Sequence, residues 1–141
     1  MNTLIKIICL VIINITVSHA QDINGPDIIV NVTNLSSNDG KVFIAVFDSE
    51  SKFLKKGMLS KSTKIEKQSC SVTFKDVLKG IYAISIYHDE NNNGVMDKNF
   101  MGIPKEDYGC SNNAKGFMGP PKWDDAKFEL NNNTLTHNIK L

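Results

Sequence analysis

The sequence contains no arginine, so all sixteen of its basic side chains are lysines, set against fifteen Asp and Glu residues. Arginine is the side chain best suited to bidentate recognition of phosphate, and a near-neutral chain has little general attraction for polyanions. The sequence also lacks heptads, internal repeats, a phosphate-binding glycine loop, a nucleophile elbow and paired zinc ligands. These absences argue against a nucleic-acid-binding protein and against enzymes that use the common catalytic motifs.

Long apolar runs are also scarce, and the one that suggests a membrane lies in "MNTLIKIICLVIINITVSHA", residues 1–20. An early lysine precedes the apolar run and small residues follow it, which is typical of a secretory signal peptide cleaved after Ala20. An uncleaved anchor is disfavoured because the run is short and contains Asn14. We therefore expect a secreted or periplasmic protein with a single domain at residues 21–141 and no transmembrane segment after cleavage.

Cysteine is rare, and only Cys70 and Cys110 lie beyond the predicted signal peptide. In an oxidising compartment an even pair suggests one disulfide. Such a bridge would close a loop of about forty residues and stabilise the fold by roughly 3–4 kcal/mol. The alternative of two unpaired thiols stays open, because the sequence does not show whether the two Cα atoms approach each other.

Alternating apolar and polar residues predict an all-β fold. "PDIIVNVTNL" and "KVFIAVFD" predict a hairpin joined across "SSNDG", with the second strand central in its sheet. "QSCSVTFKDV" predicts a half-buried strand with Cys70 toward the core, and "IYAISIYH" a strand with His88 on its apolar face. "DDAKFEL" and "TLTHNIKL" predict a closing hairpin across "NNN". Short strands separated by turn residues predict an antiparallel β-sandwich.

Residues 89–123 predict one long irregular loop, which is uncommon in a compact domain and is usually functional when it occurs. The loop is too rich in apolar residues for a solvated linker, so we expect it to fold over an edge or end of the sandwich around its own cluster. Exposed aromatic residues there would form a binding surface, and the alternative is that they pack beneath the loop. The candidates are Tyr108, Phe117 and Trp123, with Phe100, Met101, Ile103 and Met118 as further members of the cluster.

The loop begins with "YHDENNNGVMDKNFMG", in which oxygen ligands for calcium recur at alternate positions. An EF-hand is excluded because Phe100 stands where its bidentate Glu belongs and because a strand precedes the loop. An ordinary Asn-Gly turn remains the alternative. The predicted calcium ligands are the side chains of Asp89, Asn91, Asn93 and Asp97 and the carbonyl of Val95, with Glu106 and Asp107 as candidates for extra ligands.

The stretch from Gly80 to Leu130 carries chained motifs: Gly-x-Tyr-Ala, His-Asp-x-Asn-x-Asn-Gly, Gly-x-Pro-x-Glu, Tyr-Gly, Ser-Asn-Asn and Gly-Pro-Pro. In these it resembles the bacterial exported family called domain of unknown function 2141. The resemblance implies an immunoglobulin-like or transthyretin-like β-sandwich and no known activity. Residues 87–103 alone also resemble calcium-binding repeat domains of surface adhesins. Cys110 stands where the resemblance leads us to expect an aromatic residue, so a bridge to Cys70 would be particular to this protein.

We therefore expect a non-enzymatic module whose calcium-ordered loop supports binding of an unknown extracellular or envelope ligand or partner. One alternative is a small hydrolase-like enzyme, with His88 as its base and loop carboxylates as its partners. Another alternative is a purely structural module without a metal. His88 continues the apolar face of a strand, where a histidine is more often structural than catalytic. The carboxylates considered for the enzyme are Glu106, Asp107, Asp124 and Asp125.

Overall fold

A computed structural model describes residues 24–141, and the predicted signal peptide at residues 1–20 lies outside that range. Eight strands, two short 3₁₀ turns and one helical turn make up the fold. No helix in the described range is long and apolar enough to span a membrane. The strands are β1 (Ile28–Thr33), β2 (Lys41–Phe47), β3 (Leu59–Thr63), β4 (Ser69–Phe74), β5 (Gly80–Asp89), β6 (Tyr108–Cys110), β7 (Phe128–Leu130) and β8 (Leu135–Lys140).

The strands form two sheets that face each other, which confirms the predicted all-β sandwich. One sheet has the order β4-β1-β8, and the other has the order β3-β2-β5-β6, with β7 paired to the start of β5. All pairs are antiparallel except β1 with β8. The inward face of each central strand is apolar, as its alternation predicts, and burial of these faces drives the two sheets together. The centre of this core contains Ile28, Val30, Val32, Val42, Ile44, Val46, Ile84, Ile86, Leu130 and Ile139.

The two predicted hairpins are wrong. β1 pairs with β4 on one side and β8 on the other, so the segment after it crosses to β2 in the opposite sheet. β7 likewise pairs with β5, while β8 joins β1. The fully buried alternate residues of β1 and β2 explain the crossing, because two apolar faces bury more surface stacked against each other than side by side. The prediction that β2 is a central strand is confirmed.

The region from residue 89 to residue 123 contains more regular secondary structure than predicted. β5 continues to Asp89, and β6 forms an additional strand beside it. A 3₁₀ turn at Ser111–Asn113 follows, and the single helical turn, α1 (Trp123–Ala126), begins where the loop was expected to end. The irregular part is therefore limited to two segments, residues 90–107 and residues 114–122.

The Ser-Asn-Asn segment joins three parts of the fold through backbone hydrogen bonds. The buried Ser111 hydroxyl accepts the N–H of Ile84 at 2.9 Å and donates to the carbonyl of Ala126 at 2.5 Å. The Asn112 side chain donates to two carbonyls around the end of α1. The Asn113 side chain donates to the carbonyl of Asn138 and accepts the N–H of Lys140, both on β8. These side chains satisfy backbone groups that no sheet ladder reaches, so the motif is structural.

The predicted disulfide is not present, since Cys70 and Cys110 are both free thiols. Cys70 lies on β4 and packs against the main core, whereas Cys110 lies on β6 in a second cluster with Phe47, Phe53 and Ala126. That second cluster lies on the outer face of the five-stranded sheet, so the sheet separates the two sulfur atoms. Burial raises the pKa of each thiol to about 11, which keeps both protonated at neutral pH.

Candidate functional site: an aromatic groove bordered by the Asp-Asn loop

The outer face of the five-stranded sheet carries a row of aromatic side chains that crosses three strands. Phe43 on β2, Tyr87 on β5 and Tyr108 on β6 occupy the same register position. The rings of Phe43 and Tyr87 stack with their centroids 5.1 Å apart and their planes 6° apart. Because alternate residues of a strand share a face, this row forms one wall on the outer surface of the sheet.

Small side chains form the next row on the same face. Ala45, Ser85 and Cys110 occupy one register position across β2, β5 and β6. Ala45 and Ser85 are partly exposed, and Cys110 is covered. The sheet therefore has a depression beside the aromatic row, and its floor carries the hydroxyl groups of Ser85 and of Ser60, which pairs with Ala45 from β3.

A second aromatic group stands on the far side of this depression. Phe47 follows Ala45 on the same face of β2, and its ring meets that of Phe53 edge to face at a centroid distance of 5.4 Å. Phe53 in turn contacts Trp123 edge to face at 5.7 Å. Phe43 and Phe47 are four residues apart on one strand, so the two aromatic walls stand about 13 Å apart.

The walls enclose an open groove of about 1470 Å³. Its upper rim consists of apolar loop residues, which contradicts the expectation that they form their own packed cluster. Met118 borders the groove and is 95% exposed, whereas Phe100 and Phe117 lie outside its lining and are 96% and 92% exposed. Met96, Met101, Ile103, Pro104, Met118, Pro120 and Pro121 border the groove.

Lysines dominate the charge at the rim of the groove. Lys55, Lys98 and Lys122 border it, and within residues 24–141 none of the three forms an ion pair. The rim carboxylates are Glu50 and Asp124. Asp124 is already matched by Lys127 at 2.6 Å, a contact that lowers the pKa of the Asp124 carboxyl. Three lysines therefore stand against one unmatched carboxylate.

The Asp-Asn loop lies next to the aromatic row and begins with a buried carboxylate. Asp89 ends β5 and is 1% exposed. Its two oxygens accept the backbone N–H groups of Asn93 at 3.1 Å and Gly94 at 2.8 Å. Asp89 forms no ion pair with any described residue. The two backbone donors satisfy its hydrogen bonding, but its charge has no cationic partner among the described residues, which is unusual for a buried carboxylate.

Asp97 and Glu106 connect to the same loop. Asn93 links the two aspartates, because its backbone N–H binds Asp89 and its side-chain amide donates to both oxygens of Asp97 at 3.0 Å. Asn91 also donates to Asp97, at 2.6 Å. The N–H of Asp97 donates to Oε2 of Glu106 at 3.1 Å, and Oε1 of Glu106 is buried without a hydrogen-bond partner in the described part of the chain.

These contacts test whether the predicted ligands fit calcium. Within residues 24–141, no group of three or more His, Cys, Asp or Glu side chains has the geometry of a metal site. The Asn91 and Asn93 amides compensate the charge of Asp97, and each amide oxygen accepts one N–H and keeps a second lone pair. The set is hard and oxygen-rich, as calcium requires, and binding would require Asp97 to exchange its amide donors for the ion.

Asp107 and Val95, the remaining predicted ligands, make backbone hydrogen bonds within the described part of the chain. The Asp107 side chain is exposed, and its backbone carbonyl accepts the N–H of His88 at 2.9 Å. Val95 donates its N–H to Asn93 and exposes its side chain.

Tyr87 connects the loop to the groove, since its hydroxyl donates to the Gly94 carbonyl at 3.3 Å. Burial, and to a smaller extent the charges of Asp89 and Glu106, raise the pKa of Tyr87.

The loop continues directly into the rim of the groove. After Asp97, a bridge between Lys98 and Pro104 closes a small turn. The side chain of Asn99 accepts the N–H groups of Met101 and Ile103 inside this turn, and the N–H of Lys105 donates to the carbonyl of Asp97. The backbone of Asp97 is therefore hydrogen-bonded directly to this part of the rim.

His88 is fully buried and both of its ring nitrogens are engaged. Nε2 donates to the carbonyl of Asp39 at 2.7 Å, and Nδ1 lies 3.3 Å from the Ser36 hydroxyl, which itself donates to Glu90. A catalytic base would need an exposed nitrogen, with the acid on the opposite side of its ring. Here the histidine anchors the β1–β2 connection, and it lies on the inner face, away from the groove.

The candidate binding residues are only partly brought together. Tyr108 and Trp123 border the groove, whereas the Phe117 side chain projects into solvent. Asp125 is exposed and its carbonyl accepts a bond from Asn112. The sequence reasoning missed Phe43 as part of one wall and Ala45 and Ser85 as part of the floor. The signal was present in "KVFIAVFD", whose two apolar faces we assigned only to a central strand.

Fold and site together define the class: a two-sheet β-sandwich domain with an aromatic groove on one outer face and an acidic loop at its border. The family described as "Uncharacterized protein conserved in bacteria (DUF2141)" matches residues 30–138, and the chain belongs to it. Comparison with curated proteins and with solved structures found no match. The local likeness to calcium-binding adhesin repeats stays a prediction.

Proposed function

We propose that this chain is a non-enzymatic binding module of the cell envelope or the extracellular space, in which a calcium ion orders one wall of the groove. The groove itself carries the proposal: an aromatic row, a row of small residues and a second aromatic cluster follow one another on an outer sheet face. A sheet face with no ligand would gain solubility from polar residues at these positions. The exposed side chains of Met101 and Met118 at its rim fit a surface that a ligand covers.

Calcium supports this function through the connection between the loop and the rim. The proposed ligands are Asp89, Asn91, Asn93, the Val95 carbonyl and Asp97, with Glu106 as the additional carboxylate. The burial of Asp89 without an ion pair and the Glu106 oxygen that lacks a hydrogen-bond partner among the described residues favour a cation at this point. A loop with few carboxylates suits an affinity of about 10⁻⁴–10⁻³ M, which is adequate where calcium is millimolar.

Thermal unfolding with and without calcium tests the metal. At a hundredfold excess over the dissociation constant, calcium adds about 2.7 kcal/mol of stability, or roughly 10 °C in Tm for a domain of this size. Asp97→Asn removes the charge with little change of shape and should abolish the shift. Asn132→Ala lies in the second Asn triplet, away from the carboxylates, and should leave it intact. An unchanged Tm in wild-type protein at saturating calcium would remove the metal from the proposal.

Binding of Nile red, a neutral dye that fluoresces in apolar surroundings, tests the groove. The dye should bind saturably to wild-type protein, and Ser85→Phe should abolish the binding because the new ring fills the depression. Ser71→Phe places the same ring on an exposed position of β4 and serves as the matched control. Equal dye binding by wild type and the Ser85 variant would show that the groove is not the site.

The arrangement of His88 speaks against the enzyme alternative, because its ring is buried and its nitrogens already have partners. We therefore propose no reaction. The purely structural alternative predicts neither a calcium shift nor dye binding, so the two experiments above separate it from the binding module.

A further inference from the structure

We infer that the groove takes a single-chain anionic amphiphile, meaning one acyl chain that ends in a carboxylate or phosphate group. This inference rests on the proposed binding function and specifies the ligand of that site. Two features of the groove carry it: the scarcity of polar groups inside and the lysines at the rim.

The interior of the groove is suited to a hydrocarbon chain. Its floor offers only the hydroxyls of Ser60 and Ser85 beside Ala45 and the covered Cys110, and its walls are aromatic rings. A sugar would lose hydration of several hydroxyl groups here and find few hydrogen-bond partners, which costs free energy at each unpaired group. A hydrocarbon chain has no such loss, and each methylene that it buries contributes about 0.8 kcal/mol.

The rim adapts to such a chain through its methionines. Met101 and Met118 stand at the border of the groove and expose most of their side chains. Methionine is flexible and polarizable, so it fills irregular gaps against a ligand that lacks a fixed shape. Burial of these exposed side chains against the ligand would add apolar area that the free protein leaves in water.

The charge at the rim selects the head group. Lys55, Lys98 and Lys122 border the groove without ion pairs, against the single unmatched carboxylate of Glu50. An acyl chain in the groove would place its head group among these lysines. An anionic head group is favoured there and a cationic one is disfavoured, because the surplus charge at the rim is positive.

Fluorescence of Trp123, the only tryptophan in the chain, reports directly from the wall of the groove. The probes are decanoate, decyl maltoside and decyltrimethylammonium, which share chain length and differ in head-group charge, each used below its micelle-forming concentration. We expect saturable one-to-one binding, with decanoate at least tenfold tighter than decyl maltoside and the cationic probe weakest.

Charge-reversal variants separate the rim from the groove. Lys98→Glu combined with Lys122→Glu should weaken decanoate binding at least tenfold and leave decyl maltoside unchanged. Lys75→Glu, an exposed lysine outside the groove, is the matched control and should change neither. Ser85→Phe should weaken all three probes.

Three outcomes would overturn the inference. In the first, decyl maltoside binds as tightly as decanoate; in the second, Nile red binds in the groove while no decyl probe does. In the third, the protein binds vesicles of anionic phospholipid without saturable binding of monomeric decanoate, which would identify a membrane surface as the partner. In the second case the binding module survives and only the ligand class is wrong. Failure of Nile red itself to bind would instead remove the proposed function.

Discussion

Replacement of Ser111 by alanine should destabilise the protein far more than a change of one oxygen atom suggests. The hydroxyl is fully buried and is the hydrogen-bond partner of two backbone groups, the N–H of Ile84 and the carbonyl of Ala126. Alanine occupies nearly the same space, so water does not replace the oxygen. Each buried group left without a partner costs about 1–3 kcal/mol, which gives a total of roughly 2–6 kcal/mol for the two groups.

Urea denaturation followed by circular dichroism measures this loss, provided that the slope of the transition stays constant. A domain of ordinary stability has about 5–15 kcal/mol in total, so the variant should remain folded with a clearly lower midpoint. Ser71→Ala is the matched control, because Ser71 is exposed and donates only to Asn31. We expect it to cost less than about 0.5 kcal/mol. Equal midpoints for the two variants would refute the structural role of the Ser-Asn-Asn segment.

Three further predictions concern titration, thiol chemistry and backbone geometry. Burial lowers the pKa of His137 from its ordinary 6.5. Below about pH 6.5 the unfolded chain therefore takes up a proton that the folded chain does not, and the free energy of unfolding falls as the pH is lowered. His137→Phe should reduce the loss between pH 7 and pH 5 in the same denaturation assay, and an unchanged loss would refute the assignment. Cys110 should resist a thiol reagent until the protein unfolds, since its pKa is raised to about 11 and its side chain is covered, and rapid labelling of the native protein would contradict this. Gly40→Ala should lower the free energy of unfolding by more than about 1 kcal/mol, because a Cβ there would meet the Asp89 carbonyl. Gly94→Ala should cost less, because Gly94 has the same left-handed backbone but open space around it. The reverse order would contradict this account of the loop.

The sequence predicted the faces of the strands well, because each alternation reports directly which side is buried. The face of β5 that contains Tyr82, Ile84, Ile86 and His88 is buried throughout. Alternation carries no information about which strand lies beside which, so the rule that short connections make hairpins misplaced β1 and β8. The parallel pairing of these two strands depends on contacts between residues more than one hundred positions apart.

The candidate site was predictable only at its edge. The spacing of Asp89, Asn91, Asn93 and Asp97 located the loop, and the structure shows that these residues share hydrogen bonds. The same spacing contained no information about the outer face of β2, because Ala45 and Ser85 attract attention only once their strands are paired. Hydrophobicity alone also misled us about Phe100 and Phe117, since an apolar residue in a loop is equally consistent with a packed cluster and with exposure to solvent.

If an ion at the Asp-Asn loop orders the wall of a binding groove, as we propose, then calcium binding at the loop and ligand binding in the groove should be thermodynamically coupled. The most direct test is the affinity of Nile red for the wild-type protein and for Asp97→Asn, each measured with saturating calcium and with a chelator. We predict that calcium tightens dye binding severalfold in the wild type and has no effect on the variant. Equal dye affinity in calcium and in chelator for the wild-type protein would contradict the account.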